Sequence, residues 1–327
     1  MKIVIAGGSG HLGTLLAESF HHAGVEVVVL SRTPSLQPWR TVAWDGHTPG
    51  AWTAELDHTD AVINLAGRSV DCRYTAANRD AILRSRIEST AAIGAAITAC
   101  AHPPRVWIQS STATIYAHRY DAPNDEYTHL LGGNEPDAPA SWHFSIEVAK
   151  AWEQTCNAFS LPHTRKVLTR TAIVMAPGKG GAFHALRRLA LLGLGGRFGD
   201  GRQFMSWIHG RDYVRAIQFL ITRDDISGIV NVAAPHPIPN ERFMRELTEA
   251  VHPPLALPSP RWMLELGAFV IRSESELLLK SRRVIPARLT ENGFTFLHPR
   301  WAEAARDLCA QETEGGTRCA TVSSPLW

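Results

Sequence analysis

What this chain lacks narrows its chemistry first. Its 327 residues include only five cysteines, Cys72, Cys100, Cys156, Cys309 and Cys319, and no two form a C-x-x-C pair. That odd, scattered set argues against a disulfide framework or a structural zinc site and fits a reducing compartment. No apolar run approaches the ~18 residues of a membrane span. The amino-terminal run ends in glycines, too soon for a signal-peptide core. A cytoplasmic location without membrane contact is therefore expected. Neither sign of charge dominates: 33 Lys+Arg against 31 Asp+Glu leave a net +2, so the basic excess of a nucleic-acid binder is missing. The histidines show no H-E-x-x-H or clustered spacing, and no metal site is expected. Ser110 and Ser111 lack the G-x-S-x-G elbow of a serine hydrolase.

What is present suits a folded chain. Hydrophobic residues make up 45% and charged residues 20%, enough for a full core. At about 150 residues per domain, the length allows two domains or one large one with an appendage. Four short apolar runs, at residues 2–6, 25–30, 61–65 and 105–109, read as buried parallel strands. Helical patterns cover 11–22, stopped at Gly24, and 80–100. A helix over 144–159, a strand over 166–175, a helix over 212–222 and a strand over 228–233 continue the rhythm. This alternation predicts an α/β fold, a Rossmann-type doubly wound parallel sheet. Glycine-rich 177–201 and proline-rich 235–260 break the rhythm, and the chain then reads as mostly helical to about Leu308. The predicted organisation is a dinucleotide-binding domain over 1–176 completed by 209–234. A smaller, mostly helical substrate-side domain takes 177–208 and 235–309, and a loose tail takes 310–327.

The sharpest motif is Gly7-Gly8-Ser9-Gly10-His11-Leu12-Gly13, placed between the first strand and the first helix. Glycines let backbone approach a pyrophosphate, and the helix start offers unpaired N–H groups and positive charge. Gly7, Gly10, His11, Leu12 and Gly13 are thus candidate cofactor contacts. The second strand ends at Ser31-Arg32, where an NAD-binding protein usually has a carboxylate. Arg32 can instead pair with a 2′-phosphate, which predicts NADP(H), with Ser31 beside it. Leu65, Ala66 and Gly67 end the third run, at the sheet edge where ligands lie.

These motifs, together with Ser110-Ser111-Thr112-Ala113-Thr114-Ile115-Tyr116, resemble the extended short-chain dehydrogenase/reductases. More narrowly, Ser85–Thr90, Trp152-Glu153, Gly199–His209 and Arg282–Leu289 resemble the epimerase-like subfamily that ends in a small domain of unknown function. The resemblance runs from residue 1 to about Leu308. It implies that Ser110 borders the cofactor, that Thr112 orients a substrate hydroxyl or carbonyl, and that Lys150 contacts the nicotinamide ribose. It implies a substrate-facing stretch in which Arg202, Gln203 and Ser206 contact substrate, and a homodimer as a candidate assembly. It also implies a tyrosine four residues before the lysine, as acid/base, and here the chain departs: Ile146 stands there. Sliding the register by one gives Ser145 and Ala149, so the tyrosine is absent either way. Tyr116, His118, Glu153 and His209 are candidate substitutes, each with a plain structural alternative. Two readings follow. One is an NADP(H)-dependent epimerase- or reductase-like enzyme for a small polar sugar or carbonyl substrate. The other is a non-catalytic NADP(H)-binding sensor or regulator.

Overall fold

Ile3 and Ile5 of strand β1 (Lys2–Ala6) pack into one hydrophobic core, while Val4 and Ala6 pack into another. Burial on both faces is why such strands read as continuous apolar runs. The computed structural model describes residues 1–135, 139–251 and 279–315. After β1 come β2 (Glu26–Ser31), β3 (Arg40–Ala43), β4 (Ala61–Asn64), β5 (Val106–Thr112) and β6 (Arg165–Thr171). Then follow β7 (Ile173–Met175), β8 (Phe204–Met205), β9 (Trp207–His209), β10 (Gly228–Val232) and β11 (Ile238–Pro239). Seven of these form one sheet in the order β10-β6-β5-β4-β1-β2-β3. Every pairing in it is parallel. The order reverses between β1 and β4, and the crevice beyond the strand ends there is where such sheets take ligands.

The helices are α1 (His11–His22), α2 (Ala76–Ala99), α3 (Ala140–Asn157), α4 (Ala182–Leu191), α5 (Gly210–Thr222), α6 (Asn240–Val251), α7 (Ala287–Glu291) and α8 (Trp301–Gly315). Helices α1 and α5 cover one face of the sheet, and α2 and α3 the other. Helix α2 starts where the Thr75 hydroxyl accepts the Asn78 N–H at 3.3 Å, an ordinary N-cap. A separate core joins α4, α6 and α8, with the Trp301 ring stacked on Phe243 at 3.9 Å. Wholly buried Asp212 ties α5 to the carboxy-terminal segment, accepting the N–H groups of Leu297 and His298 at 2.8 Å each.

The structure corrects some boundaries. The strand predicted over 166–175 is two strands. Ala172 N–H still bonds Val232 O, but Ile173 N–H bonds Ser206 O, so the chain leaves the main sheet and β7 pairs with β9. Strand β3 escaped notice because it is a short edge strand, exposed at both ends and without a core pattern. Helix α8 runs through 310–315, into the stretch expected to be the tail. Residues 316–327 and the helical reading of 260–278 lie outside the described residues.

Candidate cofactor site and reaction site

The glycine turn is built by close contacts. Gly7 has φ +76°, and a Cβ there would lie 2.8 Å from Ala66 Cα. A Cβ on Gly13 would lie 2.4 Å from Gly8 Cα, so α1 presses directly on the turn. Gly10 differs: the nearest atom to an added Cβ is Gly7 O at 3.5 Å, and the space outward is open. Helix α1 has no side-chain cap, and its first ladder bond is Thr14 N–H to Gly10 O at 2.8 Å. The N–H groups of His11, Leu12 and Gly13 are therefore the orphan donors of a helix start, suited to an anion. Leu65 to Gly67 abut this turn, with Leu65 N–H on Ala6 O at 2.9 Å and Ala66 N–H on Asn64 Oδ1 at 3.0 Å.

Ser31 ends β2 with its hydroxyl 3.0 Å from Ser9 Oγ, linking strand end and loop. Arg32 is exposed and makes no hydrogen bond or ion pair among the described residues. It borders an open pocket of about 510 Å³ with Trp44, Asp45, Thr48 and Trp52. Sequence reading missed that company, because these residues follow the unrecognised β3. Asp45 shares the pocket, but its carboxylate accepts the N–H groups of His47 and Thr48 at 2.9 and 2.8 Å. Hydrogen bonding from Thr48 is the main reason its pKa is held at about 2. The dinucleotide loop, the Arg32 cation and Leu65–Gly67 thus converge on the crevice, and the open Gly10 fits a pyrophosphate.

The reaction side looks different. Thr112 is half-buried at the end of β5, and its oxygen accepts the Thr114 N–H at 3.2 Å, leaving the hydroxyl proton to donate. Ser110, two residues earlier, is also half-buried, and its carbonyl accepts from Gln109 Nε2 at 3.0 Å. Lys150 donates to Gly132 O at 3.1 Å. Ile146 is 1% exposed, and a Cβ on Gly132 would meet its Cδ1 at 2.8 Å. The place of the family's tyrosine is thus filled by an apolar plug under the 131–135 loop.

The substitute candidates have other tasks. Tyr116 is buried and donates to Asn231 Oδ1 at 2.9 Å, and burial pushes its phenol pKa up. Glu153 accepts two bonds from buried Arg170 at 2.8 and 2.7 Å, plus the Ser111 hydroxyl at 2.6 Å. His118 Nδ1 accepts the Ser281 N–H at 2.7 Å, and burial lowers its pKa. His209 Nδ1 caps α5 by accepting the Arg211 N–H at 3.1 Å. That bond assigns the proton to Nε2, 3.0 Å from Asp307 Oδ2. His209, His298 and Asp307 bring one nitrogen or carboxylate oxygen each to within 4.8 Å of one another.

Of the expected substrate contacts, Arg202 is exposed, with its guanidinium 5.7 Å over the Tyr120 ring. Gln203 and Ser206 are each 1% exposed and are held by the protein's own groups. Gln203 Nε2 donates to Phe198 O at 2.9 Å. The Ser206 hydroxyl donates to Arg282 O and accepts the Val284 N–H at 2.8 Å, stapling the carboxy-terminal segment. The Gly193–Gly196 stretch is a helix stop. Gly193 N–H bonds Ala190 O at 3.1 Å and Leu194 N–H bonds Leu189 O at 2.8 Å, while Thr248 holds Gly195 O. Lys280 and Arg282 were missed as site residues. Lys280, wholly buried, donates to Thr114 O at 2.8 Å, and Arg282, 4% exposed, donates to Thr114 Oγ1 at 3.2 Å. They lie more than 160 residues from Thr114 in sequence, so no local pattern could announce them.

A parallel Rossmann sheet, a glycine turn opening its first helix and a helical carboxy-terminal region define a protein of the extended short-chain dehydrogenase/reductase kind. The chain belongs to the NAD dependent epimerase/dehydratase family, whose model matches residues 3–233. A domain of unknown function, DUF1731, matches 259–308. The epimerase family protein SDR39U1 of Bos taurus is 31% identical over 317 residues, covering 95% of this chain and 100% of that protein. The epimerase family protein MT2273 of Mycobacterium tuberculosis (strain CDC 1551 / Oshkosh) is 32% identical, covering 92% and 95%. Among solved structures, human epimerase family protein SDR39U1 with NADPH is similar at a TM-score of 0.81 and 27% identity, covering 95% of this chain and 99% of that one. A Thermotoga maritima UDP-glucose 4-epimerase, TM-score 0.73 and 16% identical, covers 97% and 100% and shares the fold. The resemblance read from the Gly199–His209 and Arg282–Leu289 motifs therefore holds. Among the described residues, no helix is long and apolar enough to cross a membrane.

Proposed function

We propose that this chain binds NADP(H) and works as an epimerase- or reductase-type oxidoreductase on a small polar substrate, a sugar or a carbonyl compound. One observation carries the reading: the glycine turn keeps unmet binding capacity, with orphan N–H groups at His11–Gly13 and open space at Gly10. Arg32 supports NADP(H) as the cofactor. At the end of β2 it makes no hydrogen bond or ion pair among the described residues, and the Asp45 carboxylate that shares its pocket is taken up by the N–H groups of His47 and Thr48. A similar human protein was solved with NADPH, which supports the same choice.

When bound, the nicotinamide supplies the hydride acceptor or donor. Thr112 would offer its hydroxyl proton to a substrate oxygen. Lys150 would share its ammonium between Gly132 O and the ribose. The sensor reading stays in play on one observation: Ile146, buried against Gly132, cannot move a proton where the family places its acid/base.

Two measurements test these readings. Arg32→Ala should weaken NADPH binding about tenfold or more and leave NADH binding unchanged. Equal effects on both cofactors, or none, would sink the NADP(H) assignment. Holo-protein mixed with aldehydes, ketones and nucleotide sugars should change its NADPH absorbance with at least one of them, and Thr112→Val should block the change. Tight NADPH binding with no absorbance change across the panel would favour the sensor.

A further inference from the structure

Beyond β7 the chain runs through Pro177-Gly178-Lys179-Gly180-Gly181 into α4. This strap lies on the first residue of α1. A Cβ on Gly181 would come within 2.6 Å of His11 Nε2, and one on Gly178 within 3.7 Å of His11 Cε1. Gly178 and Gly180, at φ +104° and +88°, flank Lys179 with backbone that a side chain would strain. The strap is tethered at Gly178, whose N–H donates to Glu312 Oε1 of α8 at 2.7 Å. His11 Nε2 is sealed from solvent with no hydrogen-bond partner among the described residues, and burial lowers the ring's pKa, favouring the neutral imidazole. Lys179 is exposed, and its ammonium has no hydrogen bond or ion pair among the described residues.

The charge balance of the glycine turn gives that lysine a task. A helix start carries only about half a positive charge, whereas the pyrophosphate of a dinucleotide carries two negative ones. The turn itself, Gly7 to Gly13, holds no lysine or arginine, and burial favours a neutral His11. Arg32 stands at the β2 end of the site, and Lys150 is bonded to Gly132 O. Lys179 sits in the strap whose glycines Gly178 and Gly181 lie against the His11 ring, at the first residue of α1.

We infer that Pro177–Gly181 is a clamp on the cofactor pyrophosphate, with Lys179 as its cation and the His11 ring as its seat. The inference rests on the cofactor reading above. The flanking glycines let the strap re-aim the ammonium at a bound phosphate without moving α1 or α4. The clamp favours NADPH and NADH alike, because both carry the pyrophosphate. Arg32, in contrast, favours NADPH alone.

The test is equilibrium binding of NADPH, NADH and 2′-AMP to the full chain, for wild type, Lys179→Ala, Lys179→Arg and Arg32→Ala. Lys179→Ala should weaken NADPH and NADH equally, by about tenfold, and flatten the salt dependence. It should leave 2′-AMP, which has no pyrophosphate, unchanged, and Lys179→Arg should restore most of the affinity. Hydrogen exchange should show NADPH protecting amides 178–181 in wild type and not in Lys179→Ala. If wild type binds NADPH and Lys179→Ala binds both dinucleotides as well, the clamp is wrong and the cofactor reading stands. Weakening of 2′-AMP by Lys179→Ala would also overturn the clamp. If wild type binds neither dinucleotide, the cofactor reading falls and takes the clamp with it.

Discussion

The two ends of the crevice treat their polar groups in opposite ways. At the nucleotide end, the donors at His11–Gly13, the guanidinium of Arg32 and the ammonium of Lys179 have no partner among the described residues. At the reaction end, Glu153, Tyr116, Lys150, Gln203 and Ser206 all bond to other parts of the protein. Unmatched polar groups beside an open space favour a ligand that matches them. Matched and buried ones hold the fold. The contrast teaches that one end keeps donors and cations open to a ligand, while the other is first a joint between the sheet and the carboxy-terminal segment.

Four changes would break or sharpen this contrast. The largest effect is expected at Glu153→Ala, which leaves the Arg170 guanidinium buried without its carboxylate. Stability should fall by about 3–5 kcal/mol in urea unfolding, while the folded fraction binds NADPH normally. A change in cofactor affinity without a loss of stability would erase the distinction between the two ends. Next is Gly13→Ala, whose Cβ would press on Gly8 Cα at 2.4 Å. The strain, about 1–3 kcal/mol, should appear as a roughly 10- to 100-fold weaker NADPH titration. Ser206→Ala follows. It strands the Val284 N–H and should lower stability by about 1–2 kcal/mol without raising the KM of any substrate found. A raised KM with stability intact would return Ser206 to the substrate list.

The smallest effect concerns pH. His209 is held neutral well below its usual range, chiefly by burial and then by neighbouring His298, with Asp307 pulling the other way. A base whose folded pKa is depressed binds more protons unfolded than folded. Its contribution is complete above pH ~6.5 and is lost as pH falls towards the folded pKa. His209→Asn keeps a cap for α5 but cannot titrate, so its stability should decline less between pH 6.5 and 5 in thermal melts. An unchanged slope would show that His209 does not contribute to acid sensitivity.

The reading of sequence and the fold agree where local physics is decisive. Strand β1, the turn at Gly7–Gly13 and helix α1 were legible because β-branched runs, glycine spacing and helical periodicity lie within twenty residues of one another. Arg32 was legible because a strand end fixes where the next residue stands. The misses share a cause as well. Strand β3 carries no core pattern, and Gln203 and Ser206 look like polar residues aimed at a ligand until their partners from 198 and 282–284 are seen. Lys280 and Arg282 became neighbours of Thr114 only through a contact spanning more than 160 residues.

The sequence by itself determined the class of sheet, the dinucleotide turn and the absence of the family's tyrosine, because each is written in residue types at short, fixed spacing. Only the tertiary structure decided which polar side chains remain available. Burial and hydrogen bonding are properties of pairs, and here the partners come from distant parts of the chain. The Thr112–Thr114 turn, bonded by a lysine and an arginine from the carboxy-terminal segment, takes its charge from a neighbour that no local window of sequence contains.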